Sequence, residues 1–364
     1  MFNTSSISGR ITLESAGLIA LADLSTVAVR TALTGTASYL DVLVLAPGMH
    51  QQQSAVKIND GELPETGSVI NGYVFRVENP ATVSYLRHIG RTGKLVTAKV
   101  SLKPTRNCIP FTNPFYNLNV SPHNNPFFFA GIRATLLYLM CPILTIIVFA
   151  LLGAIRDWWA VVVLGMLVLA RFINVVVIKR RSKEGWKGKK EPGVDGDLLI
   201  LLSQDRWVRL KGSVDDLKAV TAGHWLRGQT SEESFAVGFA TLLVYASAAL
   251  AGNASTVGSL HIACLLLCSA ALLSLCNSST QCLQMFGRVV RREGDRTDYD
   301  QRLDMVKDLV QQSGKDDWAI DMGLIKPAEA AAALKERKYS NESKCSDILE
   351  DGSVSTVSLD AAKA

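Results

Sequence analysis

The chain lacks the residue groupings that catalysis usually needs. Its five histidines (His50, His88, His123, His224 and His261) are scattered, with no HExxH or paired-histidine spacing, and no GxSxG occurs. None of its four longest apolar runs holds a carboxylate that could act as an embedded acid or base. The seven cysteines (Cys108, Cys141, Cys264, Cys268, Cys276, Cys282 and Cys345) are odd in number, include no CxxC pair, and fall partly inside apolar runs. That pattern argues against a zinc or disulfide framework. No basic stretch leads into an apolar core within Met1 to Glu14, which argues against a cleaved signal peptide or a transit peptide. Gly90-Arg-Thr-Gly-Lys94 falls short of a phosphate loop: His88 stands where the first glycine belongs, and Leu95 where a hydroxyl would hold magnesium. Leu63-Pro-Glu-Thr-Gly67 matches a sorting signal only in its letters, since nearly 300 residues follow it. No cofactor is implied, and a net charge of +5 makes no case for nucleic acid.

What the chain does have is apolar length. Apolar residues make up 48% and charged ones 20%, with a mean hydropathy of +0.20, as expected for membrane helices beside large polar parts. Spans are expected at Ala134 to Ile155, Trp158 to Ile178, Phe235 to Ala251 and Val257 to Cys276. Only Arg156-Asp157 separates the first two, and only Gly252 to Thr256 the last two, so two antiparallel hairpins are expected. Trp158-Trp159 sits where an interfacial aromatic belt would lie. Ala240, Ala248 and Gly252 share a helical face with Val244, a pattern suited to close helix packing.

Charge sets the orientation. The second span runs straight into Lys179, Arg180, Arg181, Lys183, Lys187, Lys189 and Lys190, and Arg288, Arg291 and Arg292 follow the fourth. Both clusters lie opposite the hairpin tips, so the positive-inside rule puts the central insert, the N-terminus and the C-terminus in the cytosol, on an endomembrane or the plasma membrane. On that scheme Asn3, Asn119, Asn277 and Asn341 face away from the glycosylating side, and Asn253 lies too close to the bilayer.

The polar segments divide the chain further. Residues 1–125 read as a small, β-rich, soluble and cytosolic domain, with strands at Tyr39 to Ala46, Val69 to Val77 and Leu95 to Leu102, and an interrupted helix at Ala16 to Leu33. Pro104 to Pro126 reads as an extended linker ending in the aromatic Phe127-Phe128-Phe129, which opens the 126–178 hairpin region. The 179–234 insert reads as a ββα unit: strands Leu198 to Leu202 and Trp207 to Leu210 turn at Gln204-Asp205, and Ser213 caps a helix towards Trp225. After the 235–276 hairpin, residues 277–338 carry an amphipathic helix from Thr297 to Gln312, stopped by Gly314, and a second from Pro327 to Arg337. The tail, 339–364, reads as disordered. The fold class is thus an α-helical membrane protein of four transmembrane helices with cytosolic modules.

Several residues are candidates for function. Arg171 and Asn174 lie inside the second span and His261 near the outer end of the fourth; intramembrane polar groups mark functional sites by default. Arg171 also lies only about 10 Å from the cytosolic edge, within reach of snorkelling. The seven basic residues from Lys179 to Lys190 would contact anionic lipid at roughly 1 kcal/mol each. Cys276 and Cys282, at a membrane exit, are candidates for S-palmitoylation.

The wording at Trp207-Val-Arg-Leu-Lys-Gly212, Asp215-Asp-Leu-Lys218 and His224-Trp-Leu-Arg227 resembles uncharacterised multi-pass membrane proteins of filamentous fungi, mainly over the second span and the insert. The resemblance implies a eukaryotic membrane protein and transfers no catalytic residue. The expected function is a scaffold or regulator whose partners are the bilayer, anionic lipids and proteins at the cytosolic domains. The rival is an oligomeric solute or ion conductor, and the third option a membrane enzyme acting through residues 1–125.

Overall fold

A computed structural model describes residues 16–102 and 131–335. The linker 104–126, Phe127 to Phe129, the tail from Tyr339 and the sequons at Asn3, Asn119 and Asn341 lie outside the described residues.

Among the described residues four helices are long and apolar enough to cross a membrane: α3 (Ile132–Ala154), α4 (Trp158–Arg181), α6 (Ser231–Leu250, extended by a 3-10 turn to Asn253) and α7 (Thr256–Ser279). α6 begins four residues earlier than expected. Thr230 and Glu233 form a capping box there, so the two acidic residues of its first turn sit at the positive end of the helix dipole. Large apolar side chains such as Leu136, Ile143, Phe172, Phe239 and Leu267 point outward, away from protein.

The helices do pair, but not as the two tight hairpins expected. α3 packs chiefly against α7, and α4 against α6. Contact between chain neighbours is slight, because chain from before α3 is wedged into the bundle. The 3-10 turn Ala16–Leu21 lies against α6 and α7, and a 3-10 pair, Tyr39–Leu43 and Met49–Lys57, inserts beside α3 and α4. At Gly48, the buried apex between the last two, φ is +81° and an added Cβ would lie 1.9 Å from the Leu24 carbonyl oxygen. Only glycine fits such a place.

This segment departs from the soluble β-rich domain expected for residues 1–125. Tyr39 to Ala46 is not a strand: Ser38 and Asp41 form a capping box that turns the chain into a 3-10 helix. The helix foreseen at Ala16 to Leu33 is broken, with α1 (Thr26–Thr34) following an exposed link at 22–25. Of Val69 to Val77 only β2 (Val74–Arg76) is strand, whereas β3 (Lys94–Leu102) matches its expected run.

The remaining strands come from three separate stretches and form a single sheet. These are β1 (Glu65–Ser68), β4 (Asp195–Leu202), β5 (Arg206–Ser213), β6 (Cys282–Met285), β7 (Arg288–Arg292) and β8 (Thr297–Asp298). The order is β2-β1-β4-β5-β3-β7-β6, with β8 also on β3; only β3 and β5 are parallel, with Val96 opposite Val208. The ββα insert is therefore not a free-standing unit: β4 and β5 are the middle of a sheet whose neighbours come from before α3 and after α7. Its hairpin turns where expected, through the three-residue loop 203–205 between the paired Leu202 and Arg206, with Gln204 and Asp205 both at positive φ. Ser213 accepts from the Asp216 amide and caps α5 (Val214–Thr221).

Side chains alternate across this sheet. Val96, Ala98, Ile200, Val208 and Leu210 pack with α2 (Pro80–Ile89), α5 and the end of α4 at Val175 and Ile178. Leu95, Leu199 and Trp207 face α8 (Arg302–Ser313), α9 (Asp317–Asp321) and a helix over 327–335. α8 starts at Arg302 rather than Thr297, because Thr297 pairs with Leu95 in the sheet; Gly314, at φ +73°, ends it as expected. The sheet thus has helices on both faces and abuts one end of the bundle, opposite the tips.

Candidate functional site

Two sites emerge, a buried polar core inside the bundle and a basic cleft where α4 leaves it. The core exists because the 3-10 pair brings backbone groups to depth without a ladder to satisfy them. Side chains of the helices supply the partners. Thr145 donates to the Leu43 carbonyl at 2.7 Å, and Arg171 donates through Nε to the Asp41 carbonyl at 2.9 Å and through Nη1 to Gln52 Oε1. Gln52 passes the chain on to Thr31 Oγ1 at 3.0 Å, and the Asp41 carboxylate accepts from the Tyr138 hydroxyl at 2.8 Å. Gln53 donates to Asn174 Oδ1 at 3.1 Å and accepts from Arg181 Nη1, while Arg181 Nε reaches the Arg227 carbonyl at 2.7 Å.

Arg171 is only 2% exposed, so it does not snorkel. Its planar fork ties two separate points of the inserted pair, a task a lysine could not share. Asn174 belongs to the same network. His261 does not: its Nδ1 lies 2.7 Å from the Val257 carbonyl of its own helix, a local contact. Sequence reading missed Thr31, Asp41, Gln52, Gln53 and Tyr138. The available signal was Ser38-x-x-Asp41, a capping spacing that starts helices rather than strands.

The seven basic candidates split up. Arg181, 4% exposed, is part of the core and does not face lipid. Lys179 lies over the Tyr39 ring, 3.6 Å from its centre. Lys187 donates to the Ala222 carbonyl and approaches the Phe286 ring, and burial lowers its affinity for a proton, opposed by Glu184 and Glu78. Arg180, Lys183, Lys189 and Lys190 are exposed. Neither lipidation candidate offers an accessible sulfur: Cys276 is buried and donates to the Ala134 carbonyl, and Cys282 is buried with its thiol pKa raised by that burial. A buried, protonated thiol is not presented for acylation.

The cleft is about 360 Å³ and is bordered by the loop 184–190, Asp215, Lys218 and Arg288. Arg288 shapes it by bonding Asp216 at 2.7 Å and Glu184 at 3.0 Å, which pins the loop to the start of α5. Lys218 pairs with Glu191. Lys189 and Lys190 have no ion pair among the described residues, and Trp186 beside them is 89% exposed. Surplus positive charge next to an uncovered indole favours an anion with some apolar body. No group of His, Cys, Asp and Glu able to hold a metal occurs among the described residues.

No known family matches the chain, and no curated protein or solved structure matches it either.

Proposed function

We propose that this chain is a multi-pass membrane protein that acts as a scaffold or regulator through its sheet domain, which faces the cytosol and docks anionic lipid headgroups. The observation that carries the reading is the basic cleft, which opens directly after α4 and holds two lysines with no ion pair among the described residues beside an exposed tryptophan. The sidedness is supported by Arg133, Lys179, Arg180 and Arg181, all at the sheet end of the bundle. Neutralising Lys189 and Lys190 leaves the fold's own ion pairs intact. In nanodiscs, Lys189→Ser with Lys190→Ser is expected to weaken retention of phosphoinositide roughly tenfold or more, at about 1 kcal/mol per charge. Equal retention by wild type and variant would remove the cleft from the reading.

A second reading, an oligomeric conductor, is favoured by one observation. The link 22–25 and the Asp23 side chain are exposed where the chain passes along the bundle, next to Gly48 and His50. Irregular backbone at that depth requires either covering protein or a water-filled path. Ion flux through reconstituted liposomes that falls in Asp23→Asn supports a conductor, and equal flux in empty and loaded liposomes rejects it.

A further inference from the structure

We infer that Ala16–Thr34 is a fifth membrane crossing, broken at 22–25, so that the chain before Gly17 and the chain after α7 lie on opposite faces of the membrane. The contacts advance in one direction along the bundle. At Gly17 an added Cβ would lie 2.6 Å from the Ala248 carbonyl and 2.7 Å from the Ala251 side chain, which places it at the tip end of α6. Ala20 is buried in the cluster that holds Ile262 and Leu266, and Val27 in the cluster with Ala270 and Leu273. Asn277 then donates to the Thr26 carbonyl at 2.9 Å, Arg30 donates to Thr280 at 3.4 Å, and Gly35 lies against Gln284 and Met285 of β6. The path therefore begins beside the tips and ends at the sheet.

Length allows it. A 3-10 piece at ~2.0 Å per residue, a four-residue link at ~3.3 Å and α1 at ~1.5 Å give together about 39 Å of chain, against a hydrocarbon core of about 30 Å. The next insertion, 39–57, does not change sides. It goes in past Asp41 and Leu43 and returns through Gln53 to Ala55, which packs in the sheet's own core. The four long helices then cross an even number of times. One crossing is left over, and it is this one.

The crossing does not read as an apolar run, because Asp23 and Arg30 interrupt it. Arg30 lies 5.0 Å from the centre of the Tyr138 ring. Asp23 falls at the break itself. Asn3-Thr4-Ser5 is an N-glycosylation acceptor fourteen residues before Gly17 in the sequence, which such a crossing would leave on the side of the tips. Asn253-Ala-Ser255 is on that face too, but Ser255 Oγ is held by Asp157 and caps α7.

The test uses the full chain in sealed eukaryotic microsomes, with one epitope at each end. The expected result is protection of the N-terminal epitope from added protease and digestion of the C-terminal one. Both digested, or both protected, overturns the crossing. The reverse pattern, N-terminal digested and C-terminal protected, keeps the crossing and overturns only the cytosolic assignment of the sheet, on which the glycosylation expectation rests. With the expected sidedness, glycosidase shifts the wild-type band by one glycan step, and Asn3→Gln abolishes the shift. A shift abolished by Asn341→Gln instead overturns the cytosolic assignment of the sheet, and the crossing is then kept or overturned by whether the N-terminal epitope is digested or protected.

Discussion

Asp157 Oδ2 accepts two hydrogen bonds from Ser255, one from its amide at 2.9 Å and one from its hydroxyl at 2.6 Å. The other carboxylate oxygen caps α4 through the Ala160 amide at 3.1 Å. One side chain therefore starts α4 and ties the α3–α4 turn to the α6–α7 turn. The space is tight, since a Cβ on Gly258 would lie 2.1 Å from Asp157 Oδ2.

Asp157→Ala should lower stability by about 1–2 kcal/mol, the usual cost of a lost N-cap with a little added for the tie. Gly258→Ala should cost about as much, because it displaces the same carboxylate. In the double variant the two losses should not add, since each removes the same contact. Thermal unfolding in detergent measures all three, and full additivity would show that the two residues act independently.

Arg171→Met should be the more severe change. It leaves the Asp41 carbonyl and the Gln52 amide without a donor inside the bundle, at about 3 kcal/mol or more. Arg171→Lys should recover only part of the loss, because an ammonium cannot serve two directions in one plane. If Arg171→Lys unfolds at the wild-type temperature, the fork geometry is not what matters.

Gly48→Ala tests the inserted 3-10 pair directly. A left-handed φ combined with a Cβ 1.9 Å from the Leu24 carbonyl oxygen leaves no room for accommodation. The expected cost is about 2–3 kcal/mol, with release of the pair from the bundle. Faster proteolysis within 39–57 would report that release, and wild-type resistance would contradict the buried apex.

Tyr299 offers a pH signature in the sheet domain. Its hydroxyl donates to Asp308 at 2.5 Å, and its pKa is raised from 10.0, first by burial and then by that carboxylate. The folded state thus holds the proton more tightly than the unfolded one. The resulting stability is fully present below the unfolded value and is lost as pH rises towards the folded one. Between about pH 9 and 11, wild type should therefore lose more stability than Tyr299→Phe, as followed by unfolding midpoints. Parallel curves would exclude the linkage.

Elements with strong local causes could be read from the amino-acid sequence. The long apolar runs, the Gln204-Asp205 turn, the Ser213 cap and the Gly314 stop depend on neighbours within a few residues, and each is found in the structure. Basic residues at the ends of α4 and β7 were equally legible, because charge next to an apolar run is a local pattern. Arg171 and Asn174 could be singled out for the same reason, but their partners could not. Asp41, Gln52 and Gln53 lie more than a hundred residues away and read as loop or strand until the bundle surrounds them.

What the sequence by itself determined is the existence of four membrane-length helices, the turns between them and a basic end at α4. Tertiary structure alone decided which helices pair, that strands from three stretches share one sheet, and that residues 16–57 enter the bundle. The physical reason is that a broken, partly polar segment has no hydrophobic signal of its own. It is stable at depth only because Arg171, Thr145, Asn174 and Asn277 answer its backbone and side chains from other helices. At the tips the division is the same: the short Arg156-Asp157 turn was legible, but the cap Asp157 provides and its bond from Ser255 were not.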